Sequence, residues 1–352
     1  MNQTSRNFTN SNLLLIIITL FAAGSFFNSA QAQTKMKGAV IAFYNQENLF
    51  DTINDPTIND EEFLPTGPNG WTSERYKEKV AHMSYVISQI GEEIMPGGPT
   101  ILGVSEIEND NVLTDLINSD ALKNAGYNFV YVNGPDRRGV DVAMLYRSKD
   151  FTVTNVVSAP LRMASDTGWR SRDQLVVTGL LDGETISIIV NHWPSRGNQP
   201  PYRAAAAALT RELVDSLYAI DANAKIFIMG DLNDDPVDVS VKDVLGAKGK
   251  REQVKRKELY NPMWKMFKDG IGSLAYRDSW NIFDQIILSE PLINEKTAGW
   301  KLFKTNVFNR KFLISQSGQY AGYPFRTFSN GNYAGGYSDH LPVYVVITKE
   351  IK

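Results

Sequence analysis

Eight polar residues stand where short apolar runs stop: Asn45, Glu106, His192, Asp231, Asn233, Asp284, Asp339 and His340. The densest of these junctions is Ile226-Phe227-Ile228-Met229-Gly230-Asp231-Leu232-Asn233-Asp234-Asp235-Pro236. There an apolar run of strand type ends at a glycine and delivers three carboxylates and an amide before a proline closes the turn. Asn-Asp-Asp-Pro is also ordinary turn composition, so this junction alone decides nothing. The recurrence of such junctions along the chain does. The chain has 3 His, and two of them lie at these tips. Carboxylate and amide oxygens in a chain with no cysteine suit a hard cation, Mg²⁺ or Mn²⁺, with Ca²⁺ also admissible. Two imidazoles, each able to pair with a carboxylate, suit phosphate-ester cleavage. One can donate a hydrogen bond to a phosphate oxygen while the other moves a proton. A metal near the phosphorus would stabilise the developing charge. Neither the H-E-x-x-H of zinc proteases nor the G-x-S-x-G of serine hydrolases occurs.

These tips need elements to carry them, and the hydrophobic pattern supplies strands. A first strand over 38–44 runs into Asn45-Gln46-Glu47-Asn48, and a buried-type strand over 100–104 ends at Ser105-Glu106-Ile107-Glu108-Asn109. Segments 127–132 and 140–146, joined through Asp136-Arg137-Arg138-Gly139, read as a hairpin. Asp141 inside its second strand wants a partner, because a carboxylate in an apolar strand is costly to bury alone. Further strands are expected at 151–157, 174–181, 185–190, 226–229, 285–288 and 343–347. Helices are expected from Thr72 or Ser73 onward, over 111–117 and over 202–220. His82 lies on the first of these helices and reads as a surface or boundary residue. The basic segment 248–268 has little periodicity and reads as an exposed loop.

The 352 residues are 43% hydrophobic and 21% charged, a globular composition without repeats or linkers. Residues 1–32 stand apart. Arg6 is the only charge there, an apolar run over 13–27 is short for a membrane span, and Ala30-Gln31-Ala32 fits a cleavage site. A signal peptide over 1–32 is expected, followed by one domain over 33–352 with a mature start near Gln33 and a periplasmic or extracellular destination. The formal charge of −3 becomes −4 on loss of Arg6, which argues against a nonspecific basic nucleic-acid coat.

Five motifs taken together, Tyr44-Asn45-Gln46-Glu47-Asn48-Leu49, Ser105-Glu106-Ile107-Glu108-Asn109, Asn191-His192-Trp193-Pro194-Ser195-Arg196, Gly230-Asp231-Leu232-Asn233-Asp234 and Ser338-Asp339-His340-Leu341-Pro342, resemble the endonuclease/exonuclease/phosphatase superfamily, in its order. The resemblance implies a four-layer α/β sandwich, two mixed sheets face to face with helices outside. It implies Glu106 as the main metal ligand, with Asn45 and Asp339 near the same ion. His340 would act with Asp339 or Asp284 on water or phosphate, and Asp231 and Asn233 would orient nucleophile and phosphate. His192 would be the second imidazole, with Asp141 as its carboxylate partner, and Arg172 would contact the phosphate.

The leading function is a secreted, divalent-metal-dependent phosphodiesterase, foremost a nuclease. The alternative within the same fold is a phosphatase or phosphodiesterase for a small-molecule or lipid head-group phosphate. A catalytically idle binding module is the third. The expected partner is a phosphate-ester substrate, nucleic acid first. The expected protein is a monomer, with no stable membrane association after signal cleavage. Specificity is expected in the loops 55–71, 164–172 and 248–273.

Overall fold

The structure is a computed structural model, and it describes residues 35–351. The segment expected to be a signal peptide lies outside the described residues. Strands Met36–Leu49 (β1), Ile101–Ile107 (β2), Tyr127–Tyr131 (β3) and Asp141–Arg147 (β4) alternate with helices Ser73–Gln89 (α1) and Asp110–Asn118 (α2). Phe151–Ala159 (β5), Gln174–Leu181 (β6) and Glu184–His192 (β7) lead to helix Pro200–Ile220 (α3) and strand Lys225–Asp231 (β8). Short strands Ala247–Lys248 (β9) and Leu259–Tyr260 (β10), helix Met263–Lys268 (α4) and a hairpin of Leu274–Tyr276 (β11) and Ser279–Asn281 (β12) follow. The chain closes with Asp284–Ser289 (β13), Lys301–Val307 (β14), Phe328–Ser329 (β15), Asn332–Tyr333 (β16) and Val343–Glu350 (β17).

One sheet runs β14-β17-β1-β2-β4-β3 and the other β5-β6-β7-β8-β13-β10-β9. Both are mixed: β1 is parallel to β2 but antiparallel to β17, and β7 is parallel to β8, which is antiparallel to β13. The alternation of side chains along β1 explains the layering. Ile41 and Phe43 point between the sheets, into a core with Met144, Val190, Met229 and Ile286. Val40, Ala42 and Tyr44 point outward, under Val80 and Met83 of α1 and Leu113 of α2. Ile189 and Ile228 of the other sheet face Ala206 and Val214 of α3 in the same way. Strands covered on both faces must be apolar throughout, which is why these segments read as unbroken hydrophobic runs. The four-layer sandwich expected from the motifs is the fold observed.

Two glycines set close approaches. A Cβ at Gly103 of β2 would lie 2.6 Å from Met229 Sδ of the facing sheet, and one at Gly230 would lie 2.2 Å from the Asn191 carbonyl of the neighbouring strand. The basic segment is not the free loop expected. Its β9 and β10 extend the second sheet, and Ala247, Leu259 and Met263 are buried there. Two-residue strands leave no periodicity to detect, and tertiary pairing creates them.

Candidate active site

The polar tips meet because strand register aligns them. In the second sheet His192 of β7 pairs with Asp231 of β8, and Asp231 pairs with Asp284 of β13, so three functional side chains form one row across three strands. In the first sheet Asn45 pairs with Ser105, and the register breaks between Asn45 and Leu49 and again between Ser105 and Ile107. Glu106 is the bulged residue, in left-handed backbone at φ +61°; Glu47, Asn48 and Asn233 also carry positive φ, from +48° to +54°. Bulges at sheet ends re-aim side chains, and strained backbone of this kind gathers at functional sites.

The resulting contacts join both sheets. Asn45 Nδ2 donates to Asp231 Oδ2 at 3.2 Å and lies 3.4 Å from Glu106 Oε1. The Asn48 amide donates to Glu106 Oε2 at 2.9 Å, and the Asn233 amide to Asp231 Oδ1 at 2.9 Å. His192 Nε2 stands 3.8 Å from Glu106 Oε1 and 3.7 Å from Asp231 Oδ2. His340 Nδ1 is 2.7 Å from Asp284 Oδ2, while its Nε2 is 3.9 Å from both Asp231 Oδ2 and Asp339 Oδ1. Ser338 Oγ donates to the Asn45 carbonyl at 2.9 Å, tying the last loop to β1. Buried bonds beneath the row keep it in place: Asn191 Nδ2 donates to the Met229 carbonyl, and Trp193 Nε1 donates to Asn191 Oδ1.

The two imidazoles are shifted in opposite directions. Burial works against the charge on His340, but Asp284, Asp339 and Asp231 outweigh it and raise its pKa well above the ordinary histidine value. Burial, reinforced by Arg172, Arg138 and His340, drives His192 well below that value. Asp231 is pushed up to about 7, first by burial and then by Asp284 and Glu106, against the pull of His340. The charged form is thus favoured at one imidazole and disfavoured at the other, both beside one carboxylate.

Two expected roles meet other partners. Asp141 does not reach His192: its Oδ2 accepts from Tyr131 Oη at 3.0 Å and from the Gly134 amide at 2.9 Å, within the first sheet. His192 Nδ1 has no hydrogen-bond partner among the described residues. Arg172 lies close enough to depress His192, but its guanidinium is buried against Asp136 at 3.2 Å and the Trp193 carbonyl at 2.9 Å. His82 is nearer the site than its helix position implied, 3.0 Å from the Gly336 carbonyl and tilted against the Tyr337 ring, with centroids 4.7 Å apart. Three residues of the site were not foreseen. Ser273 Oγ donates to Asp284 Oδ2 at 2.5 Å, Arg326 donates to Asp339 Oδ2 at 2.9 Å, and Lys79 lies buried behind Glu47. Ser273 and Arg326 carry no sequence signal. Lys79 does: it occupies the stripe of Tyr76, Val80 and Met83, where a lysine needs a reason.

A family model described as the endonuclease/exonuclease/phosphatase family matches residues 40–349. The chain belongs to that family. Among solved structures it is similar to an endonuclease/exonuclease/phosphatase family protein of Bacteroides thetaiotaomicron, 17% identical with TM-score 0.57 over 90% of this chain and 100% of that one. It is similar to the mannosyl-6-phosphatase of the same organism, 16% identical with TM-score 0.54 over 88% of this chain and 99% of that one. It is also similar to D. rerio TDP2 complexed with single strand DNA product, 14% identical with TM-score 0.53 over 88% of this chain and 98% of that one. Identities this low establish the shared fold. No curated protein matches the chain.

Members of the endonuclease/exonuclease/phosphatase family are metal-dependent phosphoesterases. The donor set fits a hard divalent cation. Glu106 and Asp231 converge on Asn45, and among the described residues neither forms a salt bridge with a lysine or arginine. Asp231, Asp284 and His340 also bring one ligand atom each within 4.8 Å of one another. That trio is better described as an oriented imidazole, because Asp284 Oδ2 already takes hydrogen bonds from both Ser273 and His340. The side with uncompensated carboxylate charge is that of Asn45 and Glu106.

Proposed function

We propose that the protein is a secreted phosphodiesterase that hydrolyses nucleic-acid phosphodiester bonds with a divalent cation. The observation that carries this reading is the placement of two imidazoles about one carboxylate: His192 Nε2 lies 3.7 Å and His340 Nε2 3.9 Å from Asp231 Oδ2, with His340 oriented by Asp284 at 2.7 Å. Glu106 and Asn45, with Asp339, would hold Mg²⁺ or Mn²⁺. The bound ion would supply charge neutralisation at a phosphate oxygen. His340, kept cationic and oriented by Asp284, donates to a phosphate oxygen and offsets charge on the pentacoordinate phosphorus. Asp231, whose carboxyl burial raises to about 7, takes the proton of the attacking water, with Asn233 beside it to orient that water. As the new P–O bond forms, the P–O bond to the leaving group breaks and the departing alkoxide takes a proton from solvent. His192 offers a neutral Nε2 to the substrate from the opposite side. Asp231, His340 and Asp284 act as one titrating unit, and the proton belongs to the set.

A second reading, phosphatase action on a small-molecule or lipid head-group phosphate, is favoured by the overall charge of −3 and by the engagement of Arg172 and Arg326 with Asp136 and Asp339. Plasmid DNA, RNA, a chromogenic phosphodiester and sugar phosphates, each assayed with and without EDTA, separate the readings. Expected are cleavage of nucleic acid and the diester, loss of both in EDTA, and recovery with Mg²⁺ or Mn²⁺. Turnover confined to monoesters would replace the first reading by the second, and full activity in EDTA would remove both.

A further inference from the structure

Lys79 of α1 is 1% exposed, and its charge is unused by the chemistry above. Its ammonium donates to Thr327 Oγ1 at 2.7 Å and to the Tyr337 carbonyl at 2.5 Å, and it lies 3.7 Å from Glu47 Oε2. Glu47 Oε2 also accepts the Thr327 amide at 2.7 Å. Glu47 stands two residues past Asn45, and Tyr337 two before Asp339. One buried cation therefore touches the helix, the tip of β1 and the loop that delivers Asp339 and His340.

Charge around the site is distributed unevenly. On one flank the carboxylates Glu47 and Asp339 face Lys79 and Arg326. On the other, Glu106 and Asp231 have no lysine or arginine in salt-bridge range among the described residues. Burial lowers the pKa of the Lys79 ammonium, and the field of Glu47, then of Asp339 and Glu106, opposes that fall. Lysine is a compact point charge, the side-chain group nearest in character to a small hard cation.

We infer that Lys79 takes the place of a second divalent cation: its ammonium neutralises Glu47 behind the site, and the centre accepts one ion, at Glu106, Asn45 and Asp339. This rests on the metal-dependent reading of the site. Lys79 is a positioning residue, not one that meets substrate. A lysine serving only as a mechanical brace would weaken metal binding when removed. A lysine serving as built-in charge strengthens metal binding when removed.

The test is a Mn²⁺ titration of the full chain followed by electron paramagnetic resonance of the free ion, without substrate. Wild type is expected to hold one ion. Lys79→Gln, which keeps a donor for Thr327 and Tyr337, and Lys79→Met are expected to take a second ion or to hold the first about tenfold tighter or more, the scale of a unit charge removed at short range. Lys79→Arg is expected to keep a single ion at wild-type affinity. Two ions on wild type overturn the inference, whether or not a variant folds. So does a folded Lys79→Gln with unchanged or weaker Mn²⁺ binding. A wild type that binds no Mn²⁺ overturns the metal-dependent reading itself, and the inference with it.

Discussion

Each site residue is read by its neighbours as much as by its type. His192 and His340 look alike in sequence, yet Asp284 at 2.7 Å raises the pKa of one, and burial beside Arg172 lowers that of the other. Replacing either with alanine should lower turnover by about 10²–10⁴-fold, and the double variant should lose less than the product of the two, since both would face one transition state. Turnover measured with melting temperature checks this; a His340→Ala enzyme of near-normal rate would remove the mechanism. Asp141 was legible as a buried carboxylate in need of a partner, but not which partner, because Tyr131 and Gly134 come from the other side of its hairpin. Its pKa is raised to about 6, chiefly by burial against the opposing bonds from Gly134 and Tyr131. The unfolded carboxyl titrates near ~3.9, so the folded chain binds more protons between about 4 and 6, and Asp141 contributes stability that fades as pH rises through that window. Asp141→Asn should therefore lessen the loss of stability between about pH 4 and pH 6, read by urea denaturation at each pH, while turnover stays within a few-fold of wild type. A loss as deep as that of His192→Ala would mean Asp141 acts with the imidazole after all.

Elements place these residues through register and close approach. The row His192–Asp231–Asp284 exists because β7, β8 and β13 lie side by side, and Gly230 lets β8 come against Asn191. Gly230→Ala would put a methyl group 2.2 Å from a backbone carbonyl. The expected cost is about 1–3 kcal/mol, the usual range for overpacking, with a lowered urea midpoint and a larger fractional loss of activity than of folded protein. Unchanged stability would mean that the strand spacing adjusts freely. Strand existence was legible from the apolar runs, and so was the hairpin of β3 and β4. The bulge that turns Glu106 was not, since nothing in Ser105-Glu106-Ile107 announces positive φ at a glutamate.

At the scale of the whole molecule, both sheets end their functional strands at the same edge of the sandwich, so residues as distant as Asn45 and His340 share one site. Among the described residues no helix is long and apolar enough to cross a membrane. Export with cleavage after Ala32 is expected to leave Gln33 as the first residue of material recovered from periplasm or medium, shown by N-terminal sequencing; intact Met1 on membrane-bound protein would refute it. The edge strand β14 and the short elements between α3 and β13 were not legible in the sequence. The sequence by itself determined most of the long strand and helix segments, the list of polar tips and, through five motifs in order, the family and its four-layer fold. These are local or sequential properties: periodicity follows from which faces are buried, and motif order is carried by the chain. Tertiary structure alone decided that Asp141 turns to Tyr131, that Arg172 is held by Asp136, and that Lys79 stands behind Glu47. Such pairings depend on distances of a few ångströms between residues tens to hundreds of positions apart, and a buried charge takes whichever partner the packing of the two sheets and their helices brings nearest.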